Sequence, residues 1–182
     1  CLGATPVHLS AWSKEKLDVC TPQTVSSGTD NYTLATNATT CGIYKISTST
    51  TGEYFLIENR SPAGYDRGFI GLLNDNSTNT RAGENFKGGL AIWHIDNSSN
   101  CDYSNACDNS TPNIVDLEEA NDADLDNKSS RGRTTHLFYS GNNATFDNST
   151  TPNSNLTSGS TSGISVTNIS AQGDNMTFTI SK

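Results

Sequence analysis

Hydrophobic positions in this chain fall in short runs separated by long polar stretches, and most of the runs are of strand type. EYFLIEN (53–59) is a near-continuous apolar run, the pattern of a strand buried on both faces. GGLAIWHID (88–96) is the strongest strand signal. GIYKIST (42–48) alternates, YTLAT (32–36) is weaker, and NIVDLEEA (113–120) runs into an acidic stretch. GISVTNIS (163–170) turns through AQGDN into MTFTIS (176–181), a hairpin. Met176, Phe178 and Ile180 share one side of its last strand, and Thr177, Thr179 and Ser181 the other, so that strand is covered on one face. Residues 74–88 and most of 128–162 read as polar loop, with THLFYS (135–140) as an island. VHLSAWSKEKL (7–17) predicts a short helix with Val7, Leu9, Trp12 and Lys16/Leu17 near one face, Ser10 at its start and Thr21-Pro22 as its stop. The expected fold is mainly β: an antiparallel β-sandwich-like domain with long loops over 23–182, after an N-terminal helical segment at 1–22.

Composition narrows this picture. Asn, Ser and Thr supply 68 of the 182 residues, while Leu, Ile, Val and Phe supply 33. A core this thin in apolar atoms needs other staples. No stretch approaches the ~18 consecutive apolar residues of a membrane span. The net charge of −8 repels phosphate and argues against a nucleic-acid partner. Disorder is rejected because the charge density is low and the apolar residues form ordered runs.

The five cysteines lack the C-x-x-C spacing of a zinc site. Two local disulfides are expected, Cys20 with Cys41 and Cys101 with Cys107, as suits an oxidising compartment. Cys1 is left over, for a missing upstream partner, another molecule, lipidation, or an ordinary free thiol. The first ten residues carry no signal peptide, so the expectation is a leader already removed or a piece of a larger protein. Twelve N-x-S/T sequons occur, and Asn31, Asn37, Asn76, Asn97, Asn109, Asn143 and Asn148 are the candidate glycan carriers.

Candidate chemistry is sparse. Neither H-E-x-x-H nor G-x-S-x-G occurs. His94 and Asp96 stand two apart on a strand and so share a face, where they form either an oriented base or a structural pair. Glu53, Glu58, Glu118 and Glu119 read as ordinary strand or surface charges. The acidic run supplies a candidate calcium set of Glu119, Asp122, Asp124 and Asp126, since alternate residues can converge oxygens on a hard cation. It is no EF-hand, because Asn127 stands where Gly is needed and Arg133 where a bidentate Glu belongs. The plainer reading is a solvated acidic turn.

Five motifs in order carry a resemblance. PVHLSAWSKEKL (6–17), EYFLIENR with GYD (53–66), GGLAIWHID (88–96), VDLEEANDADL (115–125) and GISVTNIS with NMTFTI (163–180) resemble the region after the zinc-binding helix of secreted metallopeptidases of the immune inhibitor A type. That family reads P-x-H-L-x-A-W-x-K-x-x-L-G-W, then Y-F-L-I-E-N-R-Q, then G-L-L-I-W-H-I-D. Here Leu17-Asp18-Val19-Cys20 replaces the L-G-W. The family's zinc helix and Met-turn precede this region, so no catalytic residue carries over. The resemblance implies extracellular localisation, a β-rich segment next to a peptidase core, and calcium near Asp122–Asp126. Zinc is implied only for the parent peptidase domain.

Three readings follow. The first is the non-catalytic C-terminal portion of such a peptidase, inactive as this chain alone and partnered by the upstream domain. The second is an extracellular module that self-assembles at the cell surface, as a polymer or filament, and carries glycans. The third is a calcium-dependent carbohydrate-binding module with Trp12 and Trp93 as stacking candidates, although both tryptophans sit in apolar patterns that favour core packing.

Overall fold

A computed structural model describes residues 5–36, 41–75, 79–99, 101, 112–121, 125 and 132–182. In chain order these form α1 (Ala11–Lys16), β1 (Gln23–Thr24), β2 (Thr29–Ala35), β3 (Ile43–Ser47), β4 (Glu53–Arg60), β5 (Leu73–Asp75), β6 (Thr80–Arg81), β7 (Gly89–Asp96), β8 (Val115–Leu117), β9 (Ser165–Thr167) and β10 (Asn175–Ser181). Short 3-10 turns lie at Gly64–Gly71, Gly83–Asn85 and Thr134–His136.

One sheet runs β1-β3-β4-β7-β8, and a second runs β2-β10-β9. Neighbours are antiparallel except the parallel pair β1–β3. The two sheets share the main core. Ile46, Phe55, Ile57, Leu90 and Ile92 of the larger sheet pack with Leu34, Val166, Met176, Phe178 and Ile180 of the smaller. The chain is therefore mainly β and sandwich-like, and its strands close no barrel among the described residues.

The larger sheet is also covered on its other face. Tyr54, Leu56, Ile43 and Ile95 pack there with Ala11, and Trp12 and Trp93 lean against them. That second cover explains why all eight residues of β4 are buried and why its sequence hardly alternates. β10, by contrast, buries only Met176, Phe178 and Ile180, as its alternation predicts.

Three expectations need correction. The helix is 11–16, not 7–17. Ser10 caps it, accepting the Ser13 N–H at 3.2 Å. Residues 7–9 stay out of the helix because their backbone is captured by the end of β4 and the 3-10 turn after it: the His8 N–H donates to Asp66 at 2.7 Å, and Arg60 donates to the carbonyls of His8 and Leu9. Val7, Leu9 and Leu17 are consequently exposed rather than buried. The strand expected over 113–120 is reduced to β8, since Glu118 and Glu119 turn away toward histidines. The polar loop 74–88 contains β6 and a 3-10 turn, with β6 paired to β5.

Cys20 and Cys41 form a disulfide, as their spacing predicts. It joins the segment after α1 to the start of β3 and supports a core poor in apolar atoms. Replacing both cysteines by Ala is expected to cost about 3 kcal/mol in the chain-entropy model, read as a lower denaturant midpoint. Phe178→Ala is expected to cost ~3–5 kcal/mol, whereas Thr177→Ala on the outer face stays within about 0.5 kcal/mol; urea unfolding of the two variants checks this.

Candidate functional site

The densest polar chemistry lies under α1, on the outer side of the larger sheet. Glu58 and Arg60 are two apart on β4 and so share a face. Both are buried, as is Asp66 from the 3-10 turn after β4. Arg60 grips Asp66 with two bonds, Nε to Oδ2 and Nη2 to Oδ1, each 2.8 Å. Its Nη1 donates to Glu58 Oε1 at 3.0 Å. The same Oε1 accepts the Ala11 N–H at 3.1 Å and the Trp93 Nε1–H at 2.9 Å. Lys14 on α1 completes the cluster, with Nζ 3.6 Å from Glu58 Oε2. Burial alone would lower the Arg60 pKa, but Glu58 and Asp66 outweigh it and raise it. Lys14 is pushed the other way, chiefly by burial, because Glu58 compensates only in part.

Two glycines allow this crowding. A Cβ on Gly68 would sit 2.6 Å from the Thr5 carbonyl oxygen, so only glycine lets the N-terminal segment cross the 3-10 turn. A Cβ on Gly88, which also has φ of +96°, would stand 2.0 Å from the Arg60 carbonyl oxygen.

A second cluster lies on the opposite face of the sheet. His94 and Asp96 do share a face, but the ring nitrogens of His94 face other carboxylates. His94 Nε2 lies 2.9 Å from Glu53 Oε1 on β4, and Nδ1 lies 3.3 Å from Glu118 Oε1 just past β8. Asp96 instead accepts from the Ser98 N–H and hydroxyl, closing the turn after β7. Glu53 also accepts the Thr157 N–H at 2.6 Å, so the imidazole joins β4, β7, the end of β8 and a distant loop. Its two nitrogens point to opposite carboxylates, which makes a bridge rather than a convergent cage. Among the described residues no group of three His, Cys, Asp or Glu is placed to hold a metal. Burial would lower the His94 pKa, but Glu118 and Glu53 together raise it.

Of the candidate calcium set, Glu119 is buried, with Oε1 3.3 Å from His136 Nε2 and accepting the Leu125 N–H. Asp122, Asp124 and Asp126 lie outside the described residues. Cys101 is disulfide-bonded, while Cys107 and Cys1 lie outside the described residues. Among the candidate glycan carriers, Asn31 and Asn97 are exposed. Asn143 and Asn148 are half-buried and use their Nδ2 atoms internally, on the Ala120 carbonyl and Asn155 Oδ1. Asn37, Asn76 and Asn109 lie outside the described residues. Trp12 and Trp93 pack toward the core rather than standing out as stacking platforms. Two shallow clefts of about 440 and 480 Å³ meet at Gln172, beside Asp174 and Arg81 respectively.

The Lys14–Glu58–Arg60–Asp66 cluster is not evident from the motifs of the sequence. A signal for it exists: Glu58 belongs to the run 53–59 that predicts a strand buried on both faces, and Arg60 follows directly on that run, so a carboxylate kept from water there needs a buried partner.

The raised pKa of His94 sets a sign. A group with a higher pKa in the folded state contributes stability that is complete below its unfolded value of ~6.5 and is lost as pH rises through the folded value. The melting temperature is therefore expected to fall as pH is raised from 6 toward 9, and His94→Gln to flatten that slope. Equal slopes in both proteins would show that the clamp does not titrate in this range. Arg60→Met should cost about 3–5 kcal/mol in chemical unfolding, because it removes the buried cation that Glu58 and Asp66 share. A scan against protein-family models and a search of curated proteins each find no match to this sequence.

Proposed function

We propose that this chain is the non-catalytic β portion of a secreted zinc metallopeptidase resembling the immune inhibitor A type. One observation carries the reading. The motif residues behind the resemblance are far apart in sequence, yet they meet in one buried cluster. His8, Ala11 and Lys14 come from the first motif, Glu58, Arg60 and Asp66 from the second, and Trp93 from the third. They use one another's charges and backbone groups to clamp the N-terminal segment on the sheet. In this reading the motifs encode an anchor rather than a catalytic centre, and peptide-bond hydrolysis by zinc-activated water belongs to the upstream domain.

The surface around the anchor supports a partner on that side. Val7, Leu9, Leu17, Val19 and Tyr65 are the large hydrophobics left exposed among the described residues, at 47–66%. All lie on the α1 segment or the 3-10 turn beside it. A peptidase body packed on this segment would cover them. The disulfide fits an oxidising, extracellular setting.

A second reading, a self-associating surface module, draws support from the outer face of the smaller sheet. Thr29, Asn31, Thr33, Thr177, Thr179 and Ser181 line up across β2 and β10 without a charge. β2 also forms an edge of that sheet, the place where a strand of another copy could add.

The coding sequence upstream of Cys1 is the direct test, and an H-E-x-x-H helix is expected there. A signal peptide or lipobox directly before Cys1 overturns the peptidase reading. The isolated chain supplied with zinc should show no chelator-sensitive proteolysis. Leu17→Ser with Val19→Ser is expected to leave folding unchanged and to weaken association with the upstream domain in a pull-down. Concentration-dependent oligomers of the isolated chain in sedimentation, lost on charging β2 with Thr33→Lys, would favour the second reading.

A further inference from the structure

Lys14 is the odd member of the buried cluster. Its side chain is 9% exposed, and Nζ has no hydrogen-bond partner among the described residues, although an ammonium can donate three times. Burial favours its neutral amine, which is the nucleophilic form. Facing it is a carboxyl group with two unlike oxygens. Glu58 Oε1 holds three donors, from the Ala11 backbone, Arg60 and Trp93, at 2.9–3.1 Å. Glu58 Oε2 is the oxygen toward the amine, at 3.6 Å. Donors gathered on one oxygen of an acyl carbon are the arrangement that stabilises an oxyanion when that carbon is attacked.

We propose that Lys14 and Glu58 condense within the folded chain to an amide that cross-links α1 to β4. The step balances without any co-reactant. A proton passes from the Lys14 ammonium to Glu58 Oε2, leaving a neutral amine beside a neutral acid. The nitrogen lone pair bonds to Cδ, and the carbonyl electrons move onto Oε1, where the three donors hold them. A second proton moves from nitrogen to Oε2, the Cδ–Oε2 bond breaks, and water leaves. Ammonium plus carboxylate thus becomes amide plus water, with nothing oxidised or reduced. Two features favour it. The fold holds the two groups together, which replaces chemical activation of the acid by proximity. The reaction also removes two charges from a site that hydrates neither well, while Arg60 and Asp66 remain a balanced pair. The product would be a staple in the same region as the Cys20–Cys41 disulfide, in a domain whose apolar core is thin. The proposal does not rest on the peptidase reading.

Intact-mass measurement decides it. The full chain is produced in a host that adds no glycans, folded, then reduced and denatured. The expected mass is that of the sequence less one water. Tryptic digestion should then leave Lys14 uncleaved and yield a branched peptide joining the Lys14 segment to residues 46–60. Lys14→Arg should restore the full sequence mass. A wild-type chain at full sequence mass, cleaved normally after Lys14, overturns the proposal whether or not any variant folds.

Discussion

The guanidinium of Arg60 is the interaction on which the α1 side of the sheet depends. A cation buried at the end of a β-strand is tolerable only if its charge and its donors are met. Asp66 meets two donors, Glu58 a third, and the carbonyls of His8 and Leu9 share the outer edge. Each partner is thereby fixed in space. The 3-10 turn is drawn toward the sheet, the segment before α1 is held extended, and Ser10 is left where it can cap. The ring of Phe69, 4.8 Å away, covers the guanidinium from the remaining side.

The two ionic clusters divide the labour between the faces of one sheet. Under α1, the charges tie local chain to β4. On the sandwich side, His94 ties strands and a remote loop together between two glutamates. Both replace apolar area that this composition cannot supply. Buried pairs of this kind contribute less net stability than a well-packed apolar core would, but they define one geometry, since any other leaves a charge without a partner.

Local signals were legible in the sequence, and long-range ones were not. The doubly buried character of β4 and the one-sided character of β10 follow directly from EYFLIEN and MTFTIS, because side-chain period alone determines them. Cys20 and Cys41 were legible from spacing. Hydrophobic period predicts too long a helix, because it cannot reveal that Arg60 and Asp66 claim the backbone of residues 8 and 9. β2 looked weak as YTLAT because its stability comes from pairing with β10, with Leu34 opposite Met176. The sequence marks His94 as a chemical group but presents its partners Glu53 and Glu118 as ordinary charges. Only the pairing register places them beside it.

That pairing of β2 with β10 also constrains how the chain can be made. β10 lies between β2 and β9, so the smaller sheet has no centre without it. Thr29 must wait for Ser181, and the face of the larger sheet that meets the smaller one lacks that cover meanwhile. A nascent chain emerging from a ribosome or a translocon can assemble β3 with β4, but it cannot close its core until the residues of β10 are out. Contacts of such long sequence separation make for slow folding and extended exposure of strand edges. The polar loops between the strands then acquire a kinetic role, keeping a half-finished sandwich soluble while it waits for its central strand.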